Sequence, residues 1–185
     1  APNDPGGSAA MRFLHLLFFL TGLCGLGYQL VWTRLLASGL GHEYPATLAV
    51  VAAFFAGLTL GAAALAGPIP RSRPPLHWYA SLDLLIGVWG LISIWGLPWG
   101  NESIRDWMGE RPSPIHQCTV ASLAPLLLLL PATAAMGASL PAMQRLVAPL
   151  ARAGRCVGSL YAANTAGAMA GILVTIFALA PTFGF

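Results

Sequence analysis

The sequence predicts an all-α integral membrane protein with about five transmembrane helices, and three observations carry that expectation. Of its 185 residues, 57% are hydrophobic and 8% are charged, against about 25% charged in an ordinary soluble domain. The apolar residues gather into five runs, each long enough for a helix to cross a hydrocarbon layer about 30 Å thick, which takes roughly 20 residues. All nine basic residues are arginines, and the formal net charge is only +3. Arginines this scattered form no nucleic-acid stripe, so no nucleic-acid partner is expected and their information is positional.

Residues 1–10, APNDPGGSAA, are polar and rich in helix breakers, and read as a disordered N-terminal extension. Residues 11–185 read as a single transmembrane helical domain. The first span, residues 13–38, is longer than the apolar core of a cleaved signal peptide, about 7–15 residues, and is expected to stay in the mature chain. The second span covers residues 44–66 and the third 78–99. The fourth, residues 119–146, contains Pro125, Pro131 and Pro141 and is expected to be kinked, because each proline removes a backbone donor. The fifth covers residues 157–179. Between the third and fourth lies the one sizeable loop, residues 100–117. There Ile104, Trp107 and Met108 fall at helical spacing behind Asn101 as a candidate N-cap, which suggests a short helix lying on the outer membrane surface. Asn101-Glu102-Ser103 also matches the N-glycosylation acceptor pattern.

Placing the N-terminus in the cytoplasm puts Arg12, Arg71, Arg73, Arg145, Arg152 and Arg155 inside, and Arg34, Arg105 and Arg111 outside. This excess favours a cytoplasmic N-terminus and an extracytoplasmic C-terminus. Trp32, Tyr44, Trp95, Trp99 and Trp107 then fall at the outer interface, and Trp78 and Tyr79 at the inner one.

Small residues recur every four positions on two spans: Ala49, Ala53, Gly57 and Gly61 on the second, and Ala163, Gly167 and Gly171 on the fifth. Small faces let helix backbones approach closely in lipid, where hydrophobicity gives no association. They are expected to pack against helices of this chain or of a different subunit. Polar residues at membrane depth are the other candidates. Asp83 lies about one turn inside the third span, with His15 and Arg12 at matching depth on the first as candidate partners for a proton relay, a cation or a structural contact. Gln29 and Arg34 approach the far end of the first span, where Arg34 is placed to snorkel to headgroups or to pair with Glu43 across the turn. Tyr161 and Asn164 stand near the start of the fifth span, with Asn164 expected to hydrogen-bond across helices.

Catalytic constellations are missing from the sequence: it has no GxSxG, no HExxH and no lysine for a Walker motif or a Schiff base. Cys24, Cys118 and Cys156 lack disulfide or zinc spacing, and the dispersed His15, His42, His77 and His116 form no haem or pigment pair. No enzyme activity, cofactor or metal is therefore expected.

Four motifs occur in order: GLGYQLVWTRLLASGLG from Gly25, FFAGLTLGA from Phe54, PATAAMGASLPAMQR from Pro131, and VGSLYAANTAGAMAG from Val157 followed by APTFGF. Together they resemble the membrane-embedded N-terminal half of bacterial spermidine-synthase-like proteins, the fused transporter/polyamine aminopropyltransferases, over most of residues 13–185. The resemblance carries over Tyr28, Gln29, Trp32 and Arg34, then Met136, Gly137 and Pro141, then Tyr161, Asn164 and Gly167. It implies a multi-pass protein of the bacterial cytoplasmic membrane; the family pattern adds a sixth span and a cytoplasmic aminopropyltransferase-like domain, so the chain reads either as a truncated relative lacking them or as a part whose remainder lies beyond Phe185. The catalytic glycine-rich strand-loop-helix is not in these 185 residues. The expected function is thus a non-catalytic membrane subunit or scaffold that packs against other membrane proteins of a larger complex. Two alternatives are a transporter component for a cationic metabolite such as a polyamine, with Asp83 as counter-charge, and a membrane anchor for an aminopropyltransferase on another chain.

Overall fold

A computed structural model of the chain describes residues 5–40, 43–66, 75–148 and 153–183. These residues are almost wholly helical, with no strand among them. The long helices are α1 (Pro5–Leu40), α2 (Glu43–Ala66), α3 (Pro75–Met108), α4 (Pro114–Val147) and α5 (Ala153–Val174). A π-helical turn, Thr175–Leu179, and a short α6, Ala180–Phe183, complete the fifth span. Five helices are long and apolar enough to cross a membrane.

Several bounds differ from the sequence expectation. Residues 5–10 belong to α1 rather than to a disordered extension, while residues 1–4 lie outside the described residues. Pro5 suits a first helical position, and a helix already nucleated by the apolar run adds a turn at little cost despite two glycines. The expected surface helix after residue 100 is the continuation of α3 itself. A single buried row explains this, made of Tyr79, Leu82, Ile86, Gly90, Ser93, Leu97, Asn101 and Ile104. Its steps of three and four keep one face against the protein for seven turns, and the row runs on past Pro98 and Gly100. Ile104 therefore points inward, and Asn101 packs in the helix interior instead of capping a new one.

The loop that remains is residues 109–113. Gly109, with φ +69°, takes the left-handed conformation that ends α3, and its N–H donates to the Arg105 carbonyl at 3.0 Å. Ser113 caps α4, its Oγ accepting the His116 N–H at 3.3 Å, with Pro114 at the first helical position. The His116 ring Nε2 lies 2.7 Å from the Trp107 carbonyl and so ties the two helix ends together. α4 remains helical through Pro125, Pro131 and Pro141. Pro131 leaves the Leu127 carbonyl without its helical donor, and the next carbonyl, Leu128, accepts the Trp89 indole N–H at 3.0 Å. At the end of α5, Pro181 cannot donate to the Phe177 carbonyl and its ring needs room there. The π turn opens that room, with the Ala180 N–H reaching the Thr175 carbonyl.

The chain divides into two compact units, one formed by residues up to Leu30 together with those from Val147 onward, the other by Val31–Leu146. In the first, α1 and α5 run parallel with backbone against backbone. A Cβ built on Gly167 would strike the Phe19 carbonyl, one on Gly171 the Leu23 carbonyl, and one on Gly22 the Asn164 carbonyl. In the second, α2 and α4 meet in the same manner: Gly57 faces the Thr133 side chain, Gly61 the Ala134 carbonyl, and Gly137 the Leu58 carbonyl. Ala53 is buried on this face, whereas Ala49 and Ala163 are half-buried on their respective rows. Both small-residue rows seen in the sequence are thus covered within their own unit. α4 is the most enclosed helix, with 39% of its apolar window buried against 17% for α1 and for α5.

These contacts set a sign for substitutions. Gly61→Leu and Gly167→Leu should each destabilise by about 1–3 kcal/mol through overpacking against backbone. Gly158→Ala and Gly87→Ala, where a Cβ meets nothing within 4 Å, should be neutral or stabilising by up to about 1 kcal/mol. Thermal midpoints of the purified protein in detergent check this, and equal midpoints for all four variants would contradict the packing.

Candidate functional site

The densest set of polar contacts lies at the C-terminal end of α1, in the second unit. Trp32 is wholly buried, and its indole N–H donates to Ser93 Oγ at 3.1 Å, while Ser93 donates to the Gly90 carbonyl at 2.7 Å. Two turns on, Asn101 is only 7% exposed. Its Nδ2 donates to the Leu35 carbonyl at 2.6 Å and to Ser38 Oγ at 2.9 Å. Gly39 makes the approach possible, since a Cβ there would lie 2.9 Å from Asn101 Cγ. Arg105 then donates to the Ser38 carbonyl from Nη2 at 3.0 Å and from Nε at 3.3 Å. Ser38 is among the last four carbonyls of α1, which lack intrahelical donors and carry the negative end of the helix dipole, and Leu35 lies one turn before it. An amide and a guanidinium from α3 therefore cap α1 from the side. The glycosylation pattern at Asn101 is spent on this cap, because the nitrogen that would carry a glycan is buried and donating.

Asp83 stands near the start of α3, half-buried. The Tyr79 side chain hydrogen-bonds to it from one turn away, and Asp83 Oδ1 has no hydrogen-bond partner among the described residues. Tyr79 is buried in this unit's core. Such a carboxyl can hold a proton or a cation. Arg71 and Arg73, the nearest arginines in sequence, lie outside the described residues.

His15 belongs to the first unit. Its Nδ1 lies 2.7 Å from the Met11 carbonyl on its own helix and its Nε2 3.1 Å from Ser159 Oγ on α5, while Ser159 donates to the Cys156 carbonyl at 3.0 Å. The ring thus bridges α1 and α5. His15 and Arg12 lie in one unit and Asp83 in the other, and the polar contacts described for His15 and Asp83 stay within their own units. Asn164 meets α1 through its backbone carbonyl at Gly22, and Tyr161 is exposed. Gln29 is half-buried and Arg34 exposed, and each is engaged by a neighbour. The expected Arg34 partner, Glu43, has its side chain outside the described residues.

No group of three or more histidine, cysteine or acidic side chains converges among the described residues, and Cys24, Cys118 and Cys156 are not joined in disulfides. What the geometry assembles is a set of helix clamps and one carboxyl.

Asn101→Asp exchanges the donating amide for a carboxylate facing the Leu35 carbonyl and should destabilise the protein by about 2–4 kcal/mol. Ser103→Ala, which removes the glycosylation pattern but leaves the clamp, should not. Thermal midpoints of the two variants decide this, and a glycan found on Asn101 would overturn the assignment. Comparison with models of known protein families, with curated proteins and with solved structures finds no match.

Proposed function

We propose that this chain is a non-catalytic integral membrane subunit or scaffold that packs against other membrane proteins in a larger complex. The observation that carries this reading is a second row of small residues on α5. Gly158, Ala162 and Ala166 recur every four positions and are exposed, and a Cβ on Gly158 would meet nothing within 4 Å. The first row, through Gly167 and Gly171, is taken up by α1. A bare small-residue face offers a further helix the same close approach that α1 makes. The resemblance to the membrane half of spermidine-synthase-like proteins agrees with a scaffold role and with residence in a bacterial cytoplasmic membrane, and the arginine distribution favours an N-terminus inside and a C-terminus outside.

A second reading, a component that moves a cationic metabolite such as a polyamine, is favoured by the Asp83 carboxyl and its buried, unpartnered oxygen.

Gentle extraction from native membranes, followed by sizing and mass spectrometry, separates the two. Recovery in stoichiometric amount with a larger assembly is expected, and Ala162→Leu should reduce that recovery severalfold while the chain stays folded. Co-purification of an aminopropyltransferase would make the chain its membrane anchor. Recovery alone, with polyamine uptake lost on Asp83→Asn, would replace the subunit reading with the transport one.

A further inference from the structure

In the second unit, the close contact between α1 and α3 fixes their relative height. A Cβ on Gly39 would lie 3.1 Å from Asn101 Cα, so these two positions are level. Trp32 reaching Ser93 two turns earlier keeps that offset to within one residue, and the two helices therefore run parallel. Five residues back from Gly39 is Arg34, and five back from Asn101 is Gly96, so Arg34 stands level with the stretch containing Trp95 and Trp99. Trp95 and Trp99 are 70% and 77% exposed, and Arg34 is exposed as well. All three lie off the buried face that joins the helices, which runs through Trp32, Leu36 and Leu40 on α1 and through Ser93, Leu97 and Asn101 on α3.

Height along α3 places this band at a membrane boundary. From Trp78 to Trp99 at about 1.5 Å per residue is roughly 32 Å, the thickness of the hydrocarbon layer. Beyond Trp99 the helix carries Glu102, Arg105 and Asp106, all exposed, and these belong in the polar region. Indoles favour the zone where acyl chains meet headgroups, and an arginine stem reaches along apolar surface to put its planar head on a phosphate.

We propose that Arg34, Trp95 and Trp99 form a phospholipid-binding band, with the Arg34 guanidinium on a headgroup phosphate and the two indoles at the glycerol level. Arg34 already engages a neighbour in the protein, and its guanidinium has donors enough for a phosphate in addition. The band sets the depth of the second unit. It leaves the Asn101 and Arg105 cap on the headgroup side of the boundary and Asp83 about one turn inside the opposite one. This inference is independent of whether the chain serves as a subunit or a transporter.

The test is depth-dependent fluorescence quenching of the full chain in phosphatidylcholine vesicles. The lipids carry nitroxides at acyl carbon 5 or carbon 12, and the signal of Trp95 and Trp99 is isolated by subtracting the Trp95→Phe/Trp99→Phe double variant. Quenching at carbon 5 should exceed that at carbon 12 by about twofold. In Arg34→Leu the excess should shrink as the phosphate contact is lost and the helices settle deeper. Strongest quenching at carbon 12, or quenching by aqueous acrylamide with none by either lipid, would overturn the band. An Arg34→Leu profile identical to that of the wild type would remove Arg34 from it.

Discussion

The approach of helix backbones through glycine is the constraint on which both units depend. Inside a bilayer, apolar side chains gain nothing by leaving lipid for one another, so helices associate through close packing and polar contacts. Gly22, Gly167 and Gly171 let α1 and α5 touch along their carbonyls, and Gly57, Gly61 and Gly137 do the same for α2 and α4. The polar contacts within each unit depend on this proximity. His15 reaches Ser159 because α1 and α5 are already in contact, and Asn101 reaches Leu35 because Gly39 has no side chain in its path.

Helix ends raise a second difficulty, since they leave carbonyls and N–H groups unpaired. The chain meets it with side chains from neighbouring helices and from its own caps. Asn101 and Arg105 cover the carbonyls of α1, His116 covers Trp107 at the end of α3, and Ser113 covers the first turn of α4. The proline-rich α4 fits the same economy. It is the most enclosed of the long helices, and the Trp89 indole supplies a donor beside the carbonyl that Pro131 leaves open. Polar side chains in such a protein are therefore committed to structure first. Three buried atoms depart from that pattern, Asp83 Oδ1, Asn101 Oδ1 and Trp78 Nε1, which have no hydrogen-bond partner among the described residues, and of these Asp83 alone is a carboxyl oxygen.

Length and hydropathy were sufficient to read the five spans, because a run of about 20 apolar residues in lipid has few options besides a helix. The two small-residue rows were legible for the same reason, as spacing of four defines one helical face. Of the clamp at the end of α1, the sequence showed only its parts. Asn101 had the look of an N-cap, since a polar side chain near a span end fits a cap or a clamp equally well. The buried row of α3, visible in hindsight as steps of three and four from Tyr79 to Ile104, crosses a proline and a glycine that local rules treat as stops.

By itself, then, the sequence determined the lipid setting, the number of spans and the faces along which helices can approach. Those properties follow from composition and period, which act residue by residue. The tertiary structure decided which face meets which helix, that α3 runs unbroken to Met108, that a π turn precedes Pro181, and that Asn101 is a clamp. Each of these depends on the relative height of two helices, and no residue encodes that height alone: it emerges only when a glycine on one helix lets a particular carbonyl or side chain of another come level with it.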